Sequence, residues 1–195
     1  MESGELLTVL KETGAILEGH FLLTSGRHSD MYIEKFRILE NPRALDDVCR
    51  GMAKVVKNEN VDLVLGAAIG GILISGGVGR HLGVKHIFCE RVNGKMQLRR
   101  GFSITKGQRV VIVEDIITTG GSVIELIELA TDKGAEIIHV VNLVDRSSGN
   151  IDFGVPYTSL LTIPSESWKP ENCLFCNQGI AITQRGRTGK KMETV

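Results

Sequence analysis

The sequence predicts an α/β protein: a parallel sheet flanked by helices. Three observations carry that expectation. Val110 to Val113 is an unbroken β-branched run, as expected of a strand buried on both faces. Val61 to Leu65 and Glu136 to Val144 share this apolar texture. The first two runs each lead through a Gly-rich turn into an apolar-periodic helix, the order of βαβ units with right-handed crossovers.

The elements follow in order. Gly4 to Thr13 reads as a short amphipathic helix with Leu6, Leu7 and Leu10 on one side and Gly14 as its stop. Phe21-Leu22-Leu23 and Met31-Tyr32-Ile33 read as a hairpin around the polar turn Thr24 to Asp30. Asn41-Pro42 opens a helix, Asn as N-cap and Pro just inside it. Its expected buried stripe is Leu45, Val48, Cys49, Met52, Val55 and Val56, with Cys49 as core packing. After the strand at Val61 to Leu65 come the Gly66 to Gly71 loop and a helix to about Leu82. Gly76, Gly77 and Gly79 are expected to let that helix lie close to the sheet. His86 to Cys89 is the next strand. Arg91 to Lys106 has little apolar periodicity and is expected to be a long basic loop. Pro156 to Ile163 is a last strand, and the final ten residues have nothing to bury.

A chain of 195 residues is expected to form one domain that needs no disulfide or metal to hold it. Its 23 basic residues balance 23 acidic ones, which argues against a large nucleic-acid surface. The N-terminus does not read as a signal peptide, and no run of about 18 apolar residues calls for a membrane span. The four cysteines read as cytosolic usage, so a cytoplasmic location is expected.

The candidate chemistry centres on Glu114 to Ser122, EDIITTGGS. Two carboxylates stand near the end of a buried strand. Beyond them, the backbone N–H groups of Ile117, Thr118, Thr119, Gly120, Gly121 and Ser122, with the three hydroxyls, can ring a phosphate at a helix start. The acids are suited to accept hydrogen bonds from vicinal sugar hydroxyls. A ribose 5-phosphate satisfies both halves. Neither a G-x-x-x-x-G-K-[ST] loop nor a G-x-G-x-x-G after a strand is present.

This stretch resembles the 5-phosphoribosyl 1-diphosphate (PRPP) motif of the type I phosphoribosyltransferases. The SGRHSDMY segment, the ER-x-x-G-K-M-x-L-R-R-G-F run from Arg91 and Val144-Asp145-Arg146 resemble segments of the orotate phosphoribosyltransferases. The resemblance implies a type I core with a small hood, approximately residues 1–40 plus the C-terminal segment, and a mobile tail at 186–195. It implies PRPP held by Arg91, Lys95, Glu114, Asp115, Ile116 and the 117–122 turn, with Ile69 and Gly70 toward the pyrophosphate. It implies orotate held by Thr118, Arg146, Ser25 and Arg27. Lys95 and Asp115 are the implied catalytic residues, with Arg99 and Arg100 as further loop cations. Mg²⁺ carried by PRPP and a homodimer, whose loop reaches the neighbouring subunit's site, are implied as well. The alternatives are a purine phosphoribosyltransferase and a PRPP-sensing regulator.

Cys173-x-x-Cys176 supplies two of the about four ligands a structural zinc wants. His20, His28, His81, His86 and His139 are scattered, and the sequence does not place two of them near it. The pair is read first as a structural turn or packing, with zinc or a redox disulfide as alternatives.

Overall fold

The computed structural model describes residues 3–23, 25–147, 151–163 and 166–185. Expectations for Thr24, for Ser148 and Gly149, and for the tail at 186–195 lie outside the described residues. The chain divides into two compact units. The larger is Met1–Ala15 with Lys35–Pro164; the smaller is Ile16–Glu34 with Ser165–Val195.

The larger unit begins with α1 (Ser3–Glu12), whose Leu6 and Leu10 are buried. The strands β1 (Ile16–Leu22) and β2 (His28–Ile33) belong to the smaller unit. The larger one resumes with α2 (Phe36–Leu39) and α3 (Pro42–Val56). The Asn41 side chain caps α3, accepting the N–H groups of Arg43 and Ala44 at 3.1 Å each. The buried face of α3 is Ala44, Val48, Cys49, Met52, Ala53 and Val56. Leu45 and Val55 lie at its border rather than in its centre.

The core is a six-stranded sheet in the order β5-β4-β3-β6-β7-β8. Its strands are β3 (Leu63–Ala67), β4 (Lys85–Val92), β5 (Lys95–Leu98), β6 (Arg109–Ile117), β7 (Glu136–Asp145) and β8 (Tyr157–Thr162). Neighbours from β4 to β8 run parallel; β5 is antiparallel to β4, so the sheet is mixed rather than purely parallel. All five residues of β3 are buried, as are Val110 to Val113. Leu63, Leu65, Val110, Ile112, Leu126 and Val140 pack in one apolar cluster. Burying each such side chain contributes about 1.5–3 kcal/mol relative to exposure.

Two helices cross over the sheet, α4 (Gly70–Leu82) and α5 (Gly121–Asp132). The α4 glycines divide their work. A Cβ at Gly79 would lie 3.1 Å from the Val84 carbonyl oxygen, so this glycine allows the close approach toward β4. A Cβ at Gly77 would lie 2.4 Å from Cys49 Sγ, so Gly77 instead lets α3 seat against α4. Cys49 is core packing as expected: it is fully buried, and burial pushes its thiol up to about 12.

The expected loop at Arg91 to Lys106 is a hairpin over its first half. β4 runs on to Val92, turns at Asn93-Gly94 and returns as β5, pairing Arg91 with Met96 and Val92 with Lys95. Both turn residues have positive φ, 50° and 83°. That is the backbone an Asn-Gly pair favours, and it matches the twist of the flanking strands.

The smaller unit is a four-stranded sheet, β10-β1-β2-β9, completed by β9 (Ser167–Trp168) and β10 (Thr183–Gln184). A 3-10 turn (Pro170–Asn172) and the single-turn helix α6 (Leu174–Asn177) lie between those last strands.

Candidate active site

The strand order locates the site. From β3 the chain adds β4 on one side, then returns to place β6 on the other side of β3. Between the carboxyl ends of β3 and β6 the winding direction switches, and such a crevice is where open α/β sheets bind ligands. Two loops flank it: Ala68-Ile69 after β3, and Thr118 to Gly120 after β6.

The β6 side is a small cup of about 60 Å³, lined by Glu114 and by residues 116–123. Gly120 is the N-cap of α5 with φ 78°, and a Cβ there would lie 3.0 Å from the Phe153 ring. Only glycine satisfies both the left-handed backbone and the close ring. The turn leaves the first N–H groups of α5 without partners in the helix, while Thr118 and Thr119 are exposed beside them. Thus Ile116 to Ser122 come together in one cup of a chemistry suited to an anion.

The acids stand near the end of the strand as expected, within β6, which continues to Ile117. Glu114 is 8% exposed and Asp115 3%. Glu114 Oε1 accepts the Asp115 N–H at 3.0 Å, and Asp115 Oδ1 accepts the Ile116 N–H at 2.7 Å. Burial, and then the charge on Asp115, holds the Glu114 carboxyl well above the usual carboxylate range. Lys35 Nζ stands 2.7 Å from Asp115 Oδ2 and partly offsets that effect. Sequence reasoning missed Lys35, since one lysine before a short helix carries no local signal.

The β3 side closes on the same acid. The Ala68–Ile69 peptide is cis, and Ile69 is 71% exposed at the loop tip. A Cβ on Gly70 would fall 1.8 Å from Asp115 Oδ2, and one on Gly66 2.4 Å from the Gly71 carbonyl oxygen. Bare backbone is therefore required where the loop meets Asp115.

Arg146 follows β7, and its N–H donates to the Ile117 carbonyl at 2.8 Å. This sets Arg146 beside the start of the cup, at the edge that also carries Thr118. Ser147 N–H donates to Asp145 Oδ1 at 2.7 Å and shapes the turn there.

The remaining expected residues stand elsewhere. Lys95 is exposed on β5 and lines an outer groove with Glu125, Glu128 and Asp132, not the cup. Arg91 is held by a two-pronged pair to Glu125, at 2.7 and 3.0 Å. Arg100 is held the same way by Glu90, with both contacts at 2.9 Å. Ser25 and Arg27 belong to the smaller unit, where Arg27 Nε donates to Ser167 Oγ at 2.8 Å and Nη2 donates to the Ser167 carbonyl.

Comparison with known proteins accords with this arrangement. Residues 36–173 match the phosphoribosyl transferase domain family. The orotate phosphoribosyltransferase of Desulforamulus reducens is 45% identical over 186 residues, 95% of this chain and 97% of the relative. That of Thermotoga maritima is 45% identical over 183 residues, 94% of this chain and 98% of the relative. Among solved structures, orotate phosphoribosyltransferase from Aeropyrum pernix is similar with a TM-score of 0.68. It is 29% identical, with 81% of this chain and 93% of that one covered. Family match and relatives alike extend over most of the chain: it belongs to the phosphoribosyltransferase family and, within it, to the orotate phosphoribosyltransferases.

Proposed function

We propose that the chain transfers the 5-phosphoribosyl group from PRPP to orotate, forming orotidine 5′-monophosphate and pyrophosphate. This is a step of pyrimidine nucleotide synthesis, carried out in the cytoplasm. The observation that carries the reading is the pairing of the anion cup with two buried acids at the switch point of the sheet. Among the described residues no helix is long and apolar enough to cross a membrane.

Each residue has a task that its chemistry fits. The cup at Thr118 to Ser122 holds the 5-phosphate by backbone N–H groups and hydroxyls. Glu114 and Asp115 accept hydrogen bonds from the ribose hydroxyls, fixing the sugar while its anomeric carbon gains positive character. The backbone at Ile69 and Gly70 serves the pyrophosphate side. The oxygen donors of Glu114 and Asp115 suit a hard cation; Mg²⁺ carried by the diphosphate would neutralise charge gathering on the leaving group. Arg146 pairs with the orotate carboxylate, for which a guanidinium fork has the right geometry. A purine base carries no such anion. Thr118 contributes a hydroxyl to the base, and Ser25 and Arg27 are assigned to orotate from the resemblance.

Lys95 supplies positive charge to the leaving pyrophosphate, and it does so in a neighbouring copy. Its position on an exposed hairpin, lining the outer groove and not its own cup, supports a homodimer in which the hairpins are exchanged between sites. Arg91 lies on that same hairpin.

The test is direct. The protein is incubated with PRPP, Mg²⁺ and one of orotate, adenine, guanine or hypoxanthine, and pyrophosphate release is followed. Release with orotate alone supports the reading; release only with a purine, or with no base at all, overturns it.

A further inference from the structure

The smaller unit holds a cluster that the transfer reaction does not use. His20, His28, Cys173 and Cys176 each turn one ligand atom toward a common point, and those four atoms lie within 4.8 Å of one another. His20 Nε2 is 3.0 Å from His28 Nδ1 and 3.3 Å from Cys173 Sγ. Cys176 Sγ is 3.3 Å from His28 Nδ1 and 3.8 Å from His20 Nε2. In a tetrahedral zinc site with ordinary Zn–N and Zn–S bonds, the ligand atoms stand about 3.3–3.8 Å apart. The four observed separations fall on or near that range.

The fold assembles this set from distant parts of the chain. β1 and β2 bring the histidines together across a hairpin, and Cys173 and Cys176 bracket the start of α6. His20, His28 and Cys173 are buried, while Cys176 is exposed at the rim. His20 Nδ1 is 2.8 Å from the Ile180 carbonyl oxygen. A carbonyl can only accept, so Nδ1 carries the proton and Nε2 presents its lone pair to the common point. This is the outer contact that metal-bound histidines make. The Phe175 ring stacks on His20 at 5.5 Å, and Trp168 packs on Phe175 at 5.9 Å, shielding the histidine from one side.

A neutral His20–His28 hydrogen bond does not account for the cluster. It would use one pair of atoms and leave two thiols crowded on the same nitrogens without a reason. Nor does apolar packing alone, because in so small a unit two of the buried side chains are imidazoles.

We infer that His20, His28, Cys173 and Cys176 form a structural Zn²⁺ site that ties the β1–β2 hairpin to the C-terminal segment within the smaller unit. Two nitrogen and two sulfur ligands in a closed tetrahedron select zinc among common ions and leave no open position for catalysis. On binding, both thiols release their protons to solvent, and the two thiolates balance the charge of the ion. None of the four ligands has a task in the orotate reaction, so the site stands whether or not that reaction does.

The experiment uses the full chain purified under reducing conditions, and reads metal content by mass spectrometry and ligand type by X-ray absorption at the zinc edge. One zinc per chain with two sulfur and two nitrogen neighbours is expected. Cobalt should replace it and give the near-ultraviolet thiolate charge-transfer band together with intense visible ligand-field bands. The C173S/C176S double variant should bind zinc at least about 100-fold more weakly. No uptake of added zinc by the reduced protein, an oxygen-and-nitrogen-only shell, or a Cys173–Cys176 disulfide in the reduced preparation would each overturn the site. The absorption measurement on the unaltered protein decides even if the variant fails to fold.

Discussion

Lys35 Nζ lies 2.7 Å from Oδ2 of Asp115, an acid only 3% exposed. The two residues are 80 positions apart in sequence, yet this ammonium sets a positive charge directly against a buried carboxyl group and lowers the neighbouring Glu114 in turn. Lys35 is itself a third exposed, which tempers the strength of the pair. K35M should therefore cost about 1 kcal/mol, seen as a melting temperature about 2–4 °C lower. Adding D115N should recover most of that loss. A double-mutant cycle with no coupling between the two positions would contradict the pairing.

The contact between the β3 loop and Asp115 leaves no room for a methyl group, since a Cβ at Gly70 would sit 1.8 Å from Oδ2. G70A must displace either the loop or the carboxylate. Its kcat/KM for PRPP is expected to fall by at least about 100-fold, the scale of losses from small misplacements at a reacting centre. G76A is the control: its nearest neighbour is the His86 ring at 3.5 Å, and activity should stay within a few-fold of the parent.

Glu114 makes stability depend on pH. In the folded chain burial, then the Asp115 charge, lifts the Glu114 carboxyl to about 8 from an ordinary 4.5. The folded state thus holds a proton that the unfolded chain has given up. This contribution to stability is fully present below about 4.5 and is lost as pH rises through about 8. E114Q stays neutral throughout, so its melting temperature should fall less than the parent's between those pH values. Parallel curves for the two proteins would sink the assignment. Binding of PRPP with Mg²⁺ should also release protons near neutral pH, which calorimetry in buffers of different ionisation enthalpy would detect.

If Lys95 serves a neighbouring copy, two dead variants should rescue each other. K95A and D115N should each be nearly inactive. Mixed and allowed to exchange subunits, they should regain about a quarter of parental activity, because a heterodimer has one site with both residues intact. Absence of rescue despite verified exchange would place Lys95 in its own site or outside catalysis.

Arg146 stands beside the cup through its backbone bond to Ile117, and the proposed reading assigns it to the base. R146A should raise KM for orotate by about 10–100-fold, the range for a lost charged hydrogen bond. KM for PRPP should move far less. Equal losses for both substrates would show that Arg146 does not hold the base.

What could be read in advance was what is local in the chain. Glu114 to Ser122 is contiguous, so the nearness of its acids, hydroxyls and glycines, which the fold gathers at one cup, was legible in the sequence itself. The βαβ order was equally plain, because buried strands and Gly-ended helices carry their own periodicities. The Asn93-Gly94 turn was legible too, yet the basic residues around it suggested an irregular loop, and charge outweighed a clear hairpin signal. Lys35 and the His20–His28 pair were not legible. Each gains its meaning from a partner 80 or more residues away, or across a strand register bent by a bulge, and single-residue chemistry does not encode such distances.

In the proposed reaction the cup would grip through main-chain amides and hydroxyls, none of which titrates between mildly acidic and mildly alkaline conditions. On that reading the protein's side of the hold carries no titrating group, and acidity reaches it only through the phosphate's own second ionisation at about 6. Beside the cup, Glu114 is the group whose carboxyl burial lifts above the usual range. The proposed site thus divides anchoring from reactivity, with an uncharged anchor on one side of Glu114 and the reacting end of the sugar on the other.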